Sequence, residues 1–130
     1  MGEAVLVVEE EAPTREHLSR QLVDDGFQVY FADRAVEALA LVETERPDLV
    51  LLDAVLPDAS GFEVCGRLRA GEPGRAWNRD VPVIMVTAFA SVETALSAMK
   101  RGAFDYITKP FKNDEVAGVL RNAVERTRLS

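Results

Sequence analysis

The sequence predicts an α/β domain from three observations. Five apolar strand-like runs alternate with five amphipathic helical patterns, strands one, three and four are apolar throughout, and turn and cap residues fall between the elements. Such alternation implies right-handed crossovers and a parallel sheet covered by helices on both faces, because a strand buried on both faces has no polar side to present.

The first strand spans Val5 to Val8. The first helix follows, with Pro13 suited to its opening turn, Leu18, Leu22 and Val23 on its apolar stripe and Gly26 at its close. Strand two, Phe27 to Phe31, alternates apolar and polar residues and is therefore expected at an edge. Asp33 is expected to cap the second helix, whose stripe is Ala35, Ala38, Leu39 and Val42. Strand three is Leu49 to Leu52, and helix three, after Gly61, carries Phe62, Cys65 and Leu68. A polar stretch from Gly71 to Asp80 is expected to be a solvated loop with Trp77 folded back on the body. Strand four is Val83 to Val86; Ser91 caps a helix with Val92, Ala95, Leu96 and Met99 that closes at Gly102. Strand five is Phe104 to Ile107, and Asn113 opens a last helix carrying Val116, Val119, Leu120, Ala123 and Val124.

Composition narrows the function classes. The 130 residues hold 15 Lys plus Arg against 22 Asp plus Glu, a net charge of −7, with 48% hydrophobic residues, enough for the core of one domain over residues 1–130. An acidic balance without a basic run disfavours direct binding to nucleic acid or to anionic membranes. The longest apolar runs, Ala4 to Val8 and Ala38 to Val42, fall far short of the roughly 20 residues that span a bilayer. A lone cysteine, Cys65, makes no intramolecular disulfide and has no zinc-site spacing around it, which fits a reducing cytoplasm. Cys65 is expected to be a buried small hydrophobe, His17 a solvated side chain, and Arg67, Arg69, Arg75 and Arg79 a solvated surface around the loop. The charged last turn, Glu125 to Ser130, lacks a cap, so truncation from a longer chain is expected.

In a parallel sheet all strands deliver their C-terminal ends to one edge, where ligands bind. That edge should receive Glu9, Glu10 and Glu11 after strand one, Asp53 after strand three, Thr87 after strand four, and Lys109 followed by Pro110 after strand five. Clustered carboxylates repel by about 4 kcal/mol per pair at 4 Å and an effective dielectric near 20. A cation is expected among them, and a hard, oxygen-seeking ion such as Mg2+, sharing phosphate oxygens, meets that need.

The motifs VLVVEEE, LVLLDAVLPDASGFEV, VPVIMVTAFAS and GAFDYITKPF closely resemble the receiver domain of two-component response regulators, over Val5 to about Thr127. The resemblance implies a flavodoxin-like sheet of order 2-1-3-4-5 and a phosphoryl-accepting switch. In it Asp53 takes a phosphoryl group from a phosphohistidine of a sensor kinase or phosphotransfer protein. It implies Mg2+ held by Glu9, Glu10, Asp53 and the Val55 backbone carbonyl, phosphoryl contacts from Thr87 and Lys109, Tyr106 as an aromatic switch, and a cis peptide before Pro110. It further implies a signalling face built from strand four, helix four, strand five and helix five, including Val92, Ala95, Met99, Asp105 and Tyr106. That face would serve an output domain or effector, or a homodimer. The segment ASVETALSAMKRGAFDYITKPF is most similar to receivers of the nitrogen-regulation and nitrogen-fixation classes.

The sequence departs from the family pattern in two respects. The second acidic position is usually Asp, whereas here it is Glu10, one methylene longer, which predicts weaker or displaced metal binding. Val55 and Phe89, which flank the path of an attacking water in receivers, are apolar, which predicts a long-lived acyl phosphate unless both merely pack. The Glu pair also motivates a rival reading, a pseudo-receiver that binds partners without being phosphorylated. A flavin carrier lacks its Ser/Thr/Gly-rich phosphate loop after strand one, and a P-loop NTPase lacks its G-x-x-x-x-G-K-[ST] motif.

Overall fold

Five parallel strands form one sheet in a computed structural model of the chain, which describes residues 2–89 and 91–129. In chain order the elements are β1 (Ala4–Val8), α1 (Ala12–Asp24), β2 (Gln28–Ala32), α2 (Ala35–Glu45), β3 (Leu49–Asp53), α3 (Gly61–Ala70), β4 (Val83–Thr87), α4 (Val92–Lys100), β5 (Asp105–Thr108) and α5 (Asn113–Leu129). The sheet order is β2-β1-β3-β4-β5, the flavodoxin-like order expected, with the alternating strand β2 at an edge.

Every residue of β1, β3 and β4 is buried, and the pleat explains why. Leu6, Val8, Val50, Leu52 and Met85 face one layer with α2 and α3, where they meet Leu39, Val42, Val64 and Leu68. Val5, Val7, Leu49, Leu51 and Ile84 face the other, against Leu18 and Leu22 of α1 and Val116, Leu120 and Ala123 of α5. Each fully buried Leu, Ile or Val contributes about 1.5–3 kcal/mol, so both faces of the sheet hold the strand ends in register.

Local signals mostly act as expected. Pro13 lies in the first turn of α1, the Ser91 side chain accepts the Thr94 N–H at 3.0 Å, and Gly26 and Gly102 follow their helices with φ of +96° and +88°. The start of α2 differs. Its N-cap is Arg34, not Asp33, and the Arg34 side chain makes no capping bond. Instead Asp58, from the loop after β3, accepts the Ala35 N–H at 2.8 Å and the Val36 N–H at 3.0 Å. A carboxylate with two free oxygens satisfies two orphan donors at once, which an adjacent Asp33 paired to Arg34 Nε at 3.2 Å does not.

The ten-residue stretch before β4 does fold back through Trp77, which is buried and donates from Nε1 to the Leu68 carbonyl at 3.1 Å. Its arginines, with Arg69 at the end of α3, are more than a solvated surface. Arg75 lies over the Trp77 ring at 4.8 Å and binds Glu43 of α2 at 3.1 Å, and Arg69 and Arg79 each donate to the other's carbonyl at 3.0 Å. The loop therefore ties the end of α3 to α2. Cys65 is fully buried, with burial pushing its thiol up, and His17 is exposed with Nε2 3.2 Å from Asn113 Oδ1. Among the described residues, no helix is long and apolar enough to cross a membrane.

Candidate functional site

The C-terminal edge of the sheet gathers groups from four strands, with one ammonium between two carboxylates. Glu9 follows β1, Asp53 ends β3, Thr87 ends β4, and Lys109 comes one residue after β5. Lys109 Nζ donates to Glu9 Oε1 at 2.6 Å and to Asp53 Oδ2 at 2.9 Å, across 100 and 56 positions of sequence. Both carboxylates are buried, as is Thr87, while the Lys109 side chain is 25% exposed.

Backbone donors hold each group in place. Glu9 Oε2 accepts the Glu11 N–H at 3.1 Å, Asp53 Oδ1 accepts the Val55 N–H at 3.1 Å, and Thr87 Oγ1 accepts the Phe89 N–H at 3.0 Å. The Lys109 N–H donates to the Thr87 carbonyl at 2.7 Å, and the peptide before Pro110 is cis, as the family resemblance implies. The β4–β5 register pairs Thr87 with Thr108, and the β3–β4 register pairs Asp53 with Val86, so hydroxyl, carboxylate and amine share one end of three adjacent strands.

Two further residues shape the site without having been read from the sequence as part of it. Gly61 donates to the Ala54 carbonyl at 2.9 Å, and a Cβ at this position would lie 2.1 Å from the Asp53 carbonyl oxygen. Only glycine lets α3 begin this close to the end of β3. Arg15 donates from Nη1 to the Glu9 carbonyl at 2.9 Å and to the Glu10 carbonyl at 3.3 Å, fastening the turn after β1 to α1. The G of SGFEV signals a close approach, but nothing in the spacing of Arg15 indicates its target.

Burial pushes the Glu9 carboxyl above its ordinary range, and Asp53 beside it adds to that, against the opposing pull of Lys109 and the Glu11 N–H. Burial would lower Lys109, but its hydrogen bonds and charge attraction to Glu9 and Asp53 outweigh this and hold it above the usual lysine value. With both carboxylates ionised, two negative charges face one positive charge.

Glu10 stands apart from the expected acidic cluster. It is exposed, and among the described residues no three His, Cys, Asp or Glu side chains come together as a metal-binding group. Lys109 already meets the two buried carboxylates, so nothing draws a third, well-solvated one against their repulsion. Val55 is exposed beside Asp53, Phe89 is exposed beyond Thr87, and Tyr106 is 37% exposed on the face of β5 and α4, where Val92, Leu96 and Met99 are also exposed. The donor set is all oxygen, two buried carboxylates with the Val55 backbone beside them. It fits a hard divalent ion that accepts one or two carboxylates and keeps several waters.

The profile of the response regulator receiver domain matches residues 5–121. Response regulator MprA of Mycobacterium ulcerans is 36% identical over 129 residues, which is 99% of this chain and 53% of that protein; the chain thus spans about half the length of the curated relatives it matches. A crystal structure of NtrX from Brucella abortus superposes with a TM-score of 0.87 at 34% identity, covering 99% of this chain and 28% of that one. The receiver domain of sensor histidine kinase PA1611 from Pseudomonas aeruginosa PAO1, solved with a magnesium ion coordinated in the active site cleft, superposes with a TM-score of 0.83 at 29% identity, over 96% of this chain and 99% of that one.

Proposed function

Because the chain belongs to the response-regulator receiver family, the phosphoacceptor switch of two-component systems, we propose that Asp53 is its phosphoacceptor and that Glu9, Thr87 and Lys109 serve that carboxylate. The observation that carries this reading is the position of Lys109 Nζ, shared by Glu9 and Asp53 at 2.6 and 2.9 Å. The ammonium sits where the oxygens of a phosphoryl group on Asp53 would need a positive charge.

The transfer is an in-line displacement. An Asp53 carboxylate oxygen forms the new bond to phosphorus, the bond from phosphorus to a histidine nitrogen of a kinase or phosphotransfer protein breaks, and that nitrogen keeps the electron pair. Positioning and cations promote such a reaction, and a carboxylate oxygen as nucleophile calls for no separate general base. Lys109 stabilises charge on the transferring oxygens, and Thr87, whose oxygen accepts the Phe89 N–H, still has its O–H proton to donate to them. A bound Mg2+, held by Glu9, Asp53 and the Val55 carbonyl with Glu10 reaching in from its solvated position, would neutralise the crowded negative charge.

The added charge of about −1.5 to −2 draws Thr87 and Lys109 toward Asp53 and biases two conformations of the β4, α4, β5 and α5 face. Tyr106, now partly exposed on that face, acts as the switch side chain. The exposed stripe of Val92, Leu96 and Met99 serves an output domain, an effector or a second copy of the chain. We place residues 1–130 as a single receiver unit of a longer cytoplasmic regulator. The pseudo-receiver alternative gains no support, since Asp53, Thr87 and Lys109 are all present and Asp53 and Lys109 are in contact. Incubation with acetyl phosphate and Mg2+ followed by intact mass spectrometry tests the reading: one added phosphoryl group, absent in Asp53→Ala, supports it, and an unchanged wild-type mass refutes it.

A further inference from the structure

The loop between Asp53 and α3 is closed at its base and pinned at its tip. At the base, Val55 and Ser60 form an isolated antiparallel bridge and the Gly61 N–H donates to the Ala54 carbonyl at 2.9 Å. At the tip, Asp58 reaches across to a different element, accepting the Ala35 and Val36 N–H groups of α2 at 2.8 and 3.0 Å. Those two bonds hold the Asp58 carboxyl below its usual range. Between base and tip, Leu56 is buried against the core. The same loop carries the Val55 N–H, which donates to Asp53 Oδ1 at 3.1 Å.

The geometry points to Asp58 as a positioning residue of the phosphoacceptor site, acting through the loop rather than on the phosphoryl group. By capping α2 it fixes the tip of residues 54–60, and so fixes the Val55 backbone against the Asp53 carboxylate. The helix it caps is also left without a cap of its own, because Arg34 at the N-cap makes no side-chain bond. One carboxylate thus links the start of α2 to the nucleophile's own loop. This inference rests on the assignment of Asp53 as phosphoacceptor.

Substitution of Asp58 removes a helix cap as well as a tether, so the test separates the two. Asp58→Ala loses both. Asp58→Ala combined with Arg34→Ser gives α2 a local capping hydroxyl in place of the missing one while leaving the loop tip unattached. Asp58→Asn keeps one acceptor oxygen and so part of the tether. Three quantities are read: thermal stability, hydrogen exchange at the Val55 amide in metal-free protein, and Mg2+ affinity followed by NMR. Partners bonded directly to a metal ligand are worth about 10-fold or more in affinity, and Asp58 acts one step further off through the loop, so Asp58→Ala should bind Mg2+ several-fold more weakly, with faster Val55 exchange. The double variant should regain stability but neither of the other two, and Asp58→Asn should fall between. Unchanged Val55 exchange and Mg2+ affinity in Asp58→Ala, or their recovery together with stability in the double variant, would overturn the inference and leave Asp58 a helix cap only. Wild-type protein that gains no phosphoryl mass from acetyl phosphate would instead remove the functional reading, and this inference with it.

Discussion

Replacing Lys109 with Met removes the one positive charge between Glu9 and Asp53 while keeping most of the apolar stem. At the observed 2.6 and 2.9 Å, each attraction is worth about 6 kcal/mol at an effective dielectric of about 20, before desolvation is counted. Removing one partner of a buried pair costs about 3–5 kcal/mol, and because the Lys109 side chain is 25% exposed the loss here should be smaller, about 2 kcal/mol at pH 7. The pH dependence carries a sign. Glu9 has a raised folded-state pKa, so between its unfolded value and its folded value the native state binds more protons and stability falls as pH rises. Without the ammonium Glu9 should titrate higher still, so Lys109→Met should lose more stability than the parent from mildly acidic to neutral pH. Lys109 itself, raised in the folded state, contributes stability below its unfolded value that is lost only as pH climbs through its folded one, so the parent should weaken again only in strongly alkaline solution. Urea unfolding followed by Trp77 fluorescence at several pH values measures all of this, since Trp77 is the only tryptophan and is buried. A Lys109→Met protein as stable as the parent at pH 7, with the same pH profile, would refute the claim that this ammonium compensates two buried carboxylates.

Gly61→Ala forces a Cβ to within 2.1 Å of the Asp53 carbonyl oxygen, so the start of α3 must shift; it should destabilise by about 1–3 kcal/mol in urea unfolding and slow phosphorylation by acetyl phosphate. Val55→Asn with Phe89→Glu places polar side chains at two exposed positions flanking the nucleophile, and should shorten the lifetime of the acyl phosphate, measured as loss of phosphoryl mass with time. Glu10→Asp should tighten Mg2+ several-fold in an NMR titration, since a shorter carboxylate on this turn better meets the ion's demand for near-octahedral geometry. Mg2+ binding in acidic solution should also release protons, detectable by calorimetry in buffers of different ionisation heat, because the Glu9 carboxyl, raised by burial, must give up its proton to serve as a ligand.

The sheet and its helices were legible because burial on both faces writes continuous apolar runs into β1, β3 and β4, and exposure writes alternation into β2. Asp53, Thr87 and Lys109 were legible for a related reason: parallel topology sends every strand end to one edge, so their placement follows from strand order alone. What escaped the sequence depends on contacts between loops. The α2 cap was assigned to Asp33, the nearest acid, whereas a residue more than twenty positions later does the capping. The strand-end pattern and the family resemblance give Glu9 and Glu10 one shared place, but they do not tell which is buried: Glu9 is buried and bonded to Lys109, and Glu10 is exposed. The arginines at the end of α3 and in the stretch before β4 look solvated in sequence, and the bonds of Arg75 to Glu43 and of Arg69 and Arg79 to each other's carbonyls depend on how α2, α3 and the loop pack.

One chemical mapping bears most directly on whether the strand ends meet around a reactive aspartate. Protein treated with acetyl phosphate and Mg2+ is reduced with borohydride, which converts an aspartyl phosphate to homoserine, and its peptides are sequenced by mass spectrometry. Conversion confined to residue 53 is the predicted result; conversion at another carboxylate, or none at all, would contradict it.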